Sequence, residues 1–347
     1  KRSPRNEVAR FIVNDLDSAA YYMSDNFDSR KNRLSPDVAK LVKSRVALFE
    51  ASWLNYFKGT PFVPNGEGWP GKSKDYNANY EYPSGSIDNE ITYFYELAAN
   101  SAEEVAEKYK GVLTQNTCTV PQSESDPENP YFSMFGNTDM SGFPDVLLWR
   151  EYNEGLGIVN NIEVAVEKGN YGVGLTRSMV QGFVMADGKP ASHDGYSFND
   201  ETLANVRKNA DPRLYIFLKE PNQINMFKNM DSQKDHGVEI EPYPDILGSD
   251  GENNYGTGYS IRKGGTFDKA LTGNGAGYTG SITFRATEAL LNYMEAEYEL
   301  TKNISSGKIL EYWKTIRTTA GFKGNAVDPQ TTIAATDISQ EKLDWGS

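Results

Sequence analysis

The 347-residue sequence predicts a mainly α fold: tetratricopeptide-like helical hairpins forming an α/α superhelical scaffold, with a long irregular, loop-rich insert containing short strands. Three observations carry that expectation. Apolar residues recur at three-and-four spacing near both ends of the chain. The middle is punctuated by Gly, Pro, Ser, Asn and Asp. No clean repeat of about 34 residues is present, so the tetratricopeptide comparison rests on the hairpins themselves.

The first helix is expected over EVARFIVNDLDSAAYYM, Glu7 to Met23, where Val8, Phe11, Ile12, Leu16, Ala19, Ala20 and Met23 form one face. In SPDVAKLVKSRVALFEASWLNYF, Ser35 can cap a helix and Pro36 suits its first position. The stripe there is Val38, Val42, Val46, Phe49, Trp53 and Phe57, and the two segments are expected to form an antiparallel hairpin. A third helix is expected from about Ile87 to Lys110. From there to about Glu154 the chain is irregular, with DVLLWREY its short ordered element; such a length of loop often carries binding function.

Short pieces follow in LTRSMVQGFVM, DETLANVRKN and DPRLYIFL, then a glycine-rich section with strand-like fragments. SITFRATEALLNYMEAEYELTKN and SSGKILEYWKTIRTTAGF read as a closing hairpin whose Ala286, Ala289 and Ala296 admit a close neighbour. The expected organisation is one domain over 1–347, incomplete at both ends. Residues 1–110 make a helical scaffold, 111–280 an irregular ligand-facing region, and 281–347 a hairpin and the start of a C-terminal part.

Composition excludes several functions. With 35 basic against 48 acidic residues the net charge is −13, and no basic cluster offsets it, which argues against nucleic acid. The single Cys118 and the two histidines, His193 and His236, leave little for a disulfide, a zinc site or a triad. No cofactor and no metal are expected. The acidic turn Asp250 to Asn254, DGENN, lacks EF-hand spacing and reads as a solvated turn.

Two glycine motifs match nucleotide patterns in letter only. GEGWPGKS, Gly66 to Ser73, satisfies G-x-x-x-x-G-K-[ST], yet TPFVPN before it is a poor strand and Pro70 lacks an amide where a phosphate cradle needs one. KDYNANYEYP after it shows no helical stripe. GAGYTG, Gly275 to Gly280, fits G-x-G-x-x-G but follows KALTGN rather than a buried strand. Both read as glycine loops.

What rises above background is the density of rings in polar loops. Trp69, Tyr76, Tyr80 and Tyr82 are interleaved with Asp75, Asn77, Asn79 and Glu81. Flat rings beside amides and carboxylates suit pyranoses, and equally suit packing a loop onto the body. Tyr131, Phe132 and Phe135, and Tyr255 with Tyr259, repeat the feature more weakly, while Trp53, Trp149 and Trp313 lie on regular elements and read as core.

The run FRATEALLNYMEAEYEL, Phe284 to Leu300, resembles the signature helix of the SusD/RagB family, with Arg285, Glu288, Leu290, Leu291, Asn292, Glu295 and Ala296 in register. FIVNDLDSAA, LVKSRVALFEASW with GTPFVP, LTRSMVQGFVMADGKP, DPRL, WKTIRTTAGF and DISQEKLDW follow the family order, so the resemblance covers nearly the whole chain. Thr287 and Met294 depart from it.

The resemblance implies a lipid-anchored protein on the outer face of the Bacteroidetes outer membrane. Such a protein captures glycans or other nutrients without catalysis and passes them to a SusC-like TonB-dependent transporter. The membrane would be met only through an anchor outside this chain. Within that reading Trp69, Tyr76 and Tyr80 are the expected stacking surfaces, and Asp75, Asn77 and Asn79 their polar partners. The alternatives are a scaffold that docks the transporter with little ligand contact, and, more remotely, a glycoside hydrolase.

Overall fold

The computed structural model describes residues 2–23, 29–169, 173–193, 196, 198–227, 230–231, 234–235, 238–247 and 255–337. His236 and the Asp250–Asn254 turn lie outside the described residues. In chain order the elements are α1 (Arg5–Tyr22), α2 (Pro36–Tyr56), α3 (Ile87–Tyr109), α4 (Pro130–Gly136), β1 (Val146–Arg150), α5 (Ile162–Lys168), α6 (Arg177–Gln181), α7 (Leu203–Arg207), α8 (Pro212–Phe217), β2 (Ile224–Met226), β3 (Met230–Asp231), β4 (Lys234–Asp235), β5 (Glu239–Ile240), β6 (Ser281–Arg285), α9 (Thr287–Thr301), α10 (Gly307–Thr319) and α11 (Pro329–Ala335). The fold is mainly α, with helical hairpins and a few short strands, as the periodicity predicts. Two compact units divide it. One comprises Lys1–Leu113, Pro144–Leu148 and Thr283–Trp313; the other comprises Thr114–Phe143, Trp149–Ile282 and Lys314–Ser347.

In the first unit α2 packs between α1 and α3, and α9 packs against α3 and α2. Ion pairs fix the directions: Arg5 meets Glu50 while Lys43 meets Asp17, so α1 and α2 run antiparallel. Lys108 meets Asp37 and Lys58 meets Asp88, which makes α2 and α3 antiparallel as well. The α2 start is built as read, with Ser35 Oγ accepting from Val38 N at 3.3 Å and Pro36 in the first turn. Ala286, Ala289 and Ala296 are fully buried, their small size allowing the close approach of neighbouring helices.

The helix faces differ from the expected ones. On α1 the buried residues are Asn6, Ala9 and Val13, whereas Val8, Phe11 and Ile12 are exposed, Phe11 by 65%. On α2 the buried side carries Leu41, Ala47, Leu48, Ala51 and Leu54, and Phe49 is exposed. The physical reason is polar. Glu90 on α3 is completely buried and accepts from Asn6 Nδ2 and Arg10 Nε at 2.8 Å each, so α1 turns its Asn6 side inward to meet it. Burial alone would raise the Glu90 carboxyl, but the hydrogen bonds from Arg10, Asn6 and Ser84 outweigh it and hold the group below the usual carboxylate range.

The second unit is built from short helices and loops whose order comes from buried side chains. Asn129 caps α4 by accepting from Tyr131 N at 3.2 Å, and its amide donates to Asn116 Oδ1 at 2.8 Å. Asn116 in turn donates to Ala320 O at 2.8 Å. This pair organises a stretch that reads as structureless, and α4 within it is a helix the periodicity misses because only two turns are formed. Cys118 beside it is half-buried, and burial pushes its thiol up, away from reactivity. β2 pairs antiparallel with β5 and β3 with β4, and β1 is hydrogen-bonded to β6. SITFR is therefore strand, and the helix expected from Ser281 begins only at Thr287. Trp149 is 1% exposed and sits in the core, whereas Trp53 and Trp313 are only half-buried.

Candidate functional site

The loop from 59 to 83 is pinned by its own rings. Trp69 packs against Tyr80 with centroids 5.6 Å apart, and Tyr80 against Tyr82 at 5.4 Å. The Tyr80 hydroxyl donates to Asn6 Oδ1 at 2.7 Å, and the buried Tyr82 hydroxyl donates to Pro64 O. Asn77 is buried and reaches Gly71 O at 3.3 Å. Asp75, Tyr76 and Asn79 are exposed, and Trp69 is half-exposed. Tyr80 is half-exposed like Trp69, so five of the six residues singled out from sequence reach the surface, and the buried Asn77 holds the loop from within.

The same geometry disposes of the phosphate-loop motif. The amides of Gly66, Glu67, Trp69, Lys72 and Lys74 are spent on carbonyls of residues 59 to 71, at 3.0–3.2 Å. These amides are not available to cradle a phosphate, and the motif ends in a single 3₁₀ turn, Pro70–Ser73, rather than a helix. GAGYTG likewise serves packing. A Cβ on Gly280 would come within 2.8 Å of the Trp149 ring, and Gly277 O accepts from Asn160 N at 2.7 Å.

A concavity of about 450 Å³ in the second unit combines rings with polar groups. Phe227 and Phe267 stack in parallel on its wall, centroids 4.5 Å apart at 14°, and both are half-exposed. Around them lie Ser133, Asn137, Glu124, Asp126, Glu128 and Asp268, with no Lys or Arg among the described lining residues, and the Arg262 guanidinium lies 5.4 Å from the Phe267 ring centroid. Asp126 accepts from Gln122 N at 2.7 Å and from Ser123 N and Oγ at 3.1 and 3.0 Å, which hold its carboxyl below the usual range.

Neither phenylalanine was legible as a site residue. Each is a lone ring in its segment, and only the pairing of distant loops makes a platform. Phe132, from the weaker cluster, is buried and lines the pocket, while Tyr255 and Tyr259 are core residues whose hydroxyls donate to Val166 O and to Asp200.

Glu163 on α5 supports the ring-bearing segment from beneath. It is 1% exposed, and it accepts from Thr266 N at 3.0 Å and Thr279 Oγ1 at 2.5 Å. Burial first, then the neighbouring Glu167 and Asp268, push its carboxyl up to about 8. An unfolded glutamate titrates near 4.5, so between pH 4.5 and about 8 only the folded state holds this proton. Stability therefore falls as pH rises through that window, by a few kcal/mol in total. Glu163→Gln is expected to flatten this decline in urea titrations run across the window; an unchanged pH slope would show that Glu163 does not supply it.

One unit of antiparallel helices and one loop-rich unit carrying an aromatic and polar concavity define a mainly helical fold. The model of the SusD family matches residues 148–345, and the chain belongs to that family. It is similar to a crystal structure with a xylogluco-oligosaccharide, at 16% identity over 97% of this chain and 58% of that one, with a TM-score of 0.52. It is also similar to a SusD-like carbohydrate binding protein from Bacteroides fragilis, at 12% identity over 98% of this chain and 58% of that one, with a TM-score of 0.53. The chain thus spans 58% of the length of each of these structures. No curated protein matches it. Among the described residues no group of three or more His, Cys, Asp or Glu is placed to hold a metal ion, and no helix is long and apolar enough to cross a membrane.

Proposed function

We propose that the chain binds neutral oligosaccharides without catalysis, as part of a lipid-anchored nutrient-capture protein on the outer face of an outer membrane that serves a TonB-dependent transporter. The observation that carries this reading is the stacked, half-exposed Phe227–Phe267 pair beside amide, hydroxyl and carboxylate groups. A pyranose offers an apolar face to rings and a rim of hydroxyls to acceptors, and this concavity supplies both. Its described lining carries four carboxylates, Glu124, Asp126, Glu128 and Asp268, which favours uncharged over anionic sugars. Family membership, and the saccharide named with one similar structure and the carbohydrate binding named for the other, make glycans the first ligand class to test.

The loop surface formed by Trp69, Asp75, Tyr76 and Asn79 is proposed as a second contact surface, with Asn77 and Tyr80 holding it in shape. Hydrolysis fits the concavity poorly. A glycosidase acid needs a carboxyl with a raised pKa that reaches the sugar. Asp126 is held low, and Glu163, which is raised, is sealed away from the lining.

Isothermal titration with a panel of neutral oligosaccharides tests the reading. Phe267→Ala is expected to weaken the best ligand by about 1–3 kcal/mol, by analogy with bases stacked on aromatic rings, with the far-UV spectrum unchanged. Trp69→Ala is expected to weaken a sugar held on the loop surface by a similar amount. Silence of the intact protein across the whole panel would count against the proposal.

A second reading is favoured by the exposed Val8, Phe11 and Ile12 stripe of α1, an apolar face that a partner protein such as the transporter would cover. Loss of transporter co-purification in Phe11→Ser, with sugar affinity intact, would assign docking to this face.

A further inference from the structure

The carboxyl of Glu163 holds together two segments that reach the acidic concavity. Its Oε2 accepts from Thr266 N at 3.0 Å, and Thr266 and Phe267 are consecutive in the concavity's lining. Its Oε1 meets Thr279 Oγ1 at 2.5 Å, and one residue further on Gly280 N donates to Asn137 O at 2.9 Å. Asn137, which follows α4, also lines the concavity. One side chain on α5 thus ties down the ring-bearing segment and, through residues 279–280, the end of α4.

The bonds around this tie transmit it to the rings. Asn160, three residues before Glu163, donates from Nδ2 to Thr279 O at 2.9 Å and from its backbone N to Gly277 O at 2.7 Å, so the start of α5 and residues 277–279 are held as one piece. Phe227 N donates to Phe267 O at 3.1 Å; the stacked rings therefore share a backbone bond, and a shift at Thr266 reaches both. Gly136 closes against Gly265 O, where a Cβ would stand 2.2 Å away, which leaves the turn before Thr266 no slack on that side.

The charged groups that act on Glu163 most are both acidic: Glu167, one turn further along α5, and Asp268, on the ring-bearing segment. Glu167 is engaged by Lys219 at 3.4 Å and by Asn225 Nδ2 at 2.5 Å, and Arg262, whose guanidinium lies 5.4 Å from the Phe267 ring centroid, answers to Glu241 and Glu167. In the protonated acid Oε2 keeps accepting from Thr266 N while Oε1–H turns to donate to Thr279 Oγ1, so both ties hold and no charge is buried. A carboxylate in the same place, 1% exposed, is a buried negative charge beside two others; moving it toward water breaks the bonds to Thr266 and Thr279 first.

We infer that Glu163 is a positioning residue for the Phe227–Phe267 platform, a clamp that sets the rings when neutral and loosens them when ionised. The inference rests on the saccharide reading of the concavity, and it adds that alkali switches capture off through a group buried outside the lining. Because burial pushes this carboxyl up to about 8, the neutral form prevails at neutral pH and is lost as pH rises through that value.

The test is titration of the intact chain with the tightest neutral oligosaccharide of the panel, from about pH 7 to about pH 9.5. Wild type is expected to lose affinity severalfold over that range, with a limiting slope of about tenfold per pH unit for one proton. Glu163→Gln, the isostere of the protonated acid, should bind as wild type does at neutral pH and hold that affinity to the alkaline end, whereas Glu163→Ala should bind severalfold more weakly throughout. Proton NMR of the sugar-free chain needs no ligand: the Phe227 and Phe267 ring signals are expected to shift together with a midpoint of about 8 in wild type and to stay fixed in Glu163→Gln. Rings that titrate in a chain silent to every sugar would retire the saccharide reading and uphold the clamp. A sugar affinity that is flat with pH, or one that declines equally in Glu163→Gln, would overturn the clamp and leave the saccharide reading standing, and ring signals indifferent to pH would overturn the clamp as well.

Discussion

Glu90→Ala is expected to lower the unfolding free energy by about 3–5 kcal/mol, the usual consequence of removing one partner from a buried ion pair. Glu90 is 0% exposed and takes hydrogen bonds from Asn6, Arg10 and the Ser84 amide. Its loss leaves the Asn6 amide, itself fully buried, without this acceptor and the Arg10 guanidinium with the Ser84 hydroxyl but no carboxylate, and it removes what turns α1 toward α3. Glu90→Gln keeps the shape but not the charge, and should fall between wild type and Ala. Urea unfolding followed by circular dichroism measures both. A change below about 1 kcal/mol for Ala, the size of an exposed pair, would show that the network does not organise the helices.

Trp149→Ala is expected to cost about 3–5 kcal/mol in the same assay, as large buried rings do when truncated. Trp149 lies near the end of β1 with Gly280 against its ring, and the glycine is needed there because a Cβ would enter the ring's space at 2.8 Å. Gly280→Ala should therefore also destabilise, by an amount set by how far the ring can shift. A neutral Gly280→Ala would mean that the indole moves freely, contrary to a core residue 1% exposed.

These two sites show what the sequence carries and what it hides. Helix positions were legible because capping and periodicity are local: Ser35 and Pro36 start α2 where they should. The buried faces were less legible, since apolar spacing cannot say that a buried Glu90 will draw the Asn6 side of α1 inward and leave Phe11 in solvent. The signature run from Phe284 to Leu300 announced the family, whose model matches residues 148–345. The rings of the 64–83 loop were visible as a cluster because they are close in sequence. Phe227 and Phe267 were not, because each stands alone until the fold stacks one on the other.

The central claim is that the concavity beside Phe227 and Phe267 holds a neutral sugar. A crystal structure of the chain with the tightest neutral oligosaccharide from the titration panel tests it most directly. The account predicts a pyranose ring stacked on this pair, with hydroxyls in reach of Asn137, Glu128 or Asp268. A sugar seated elsewhere, with both rings bare, would contradict it.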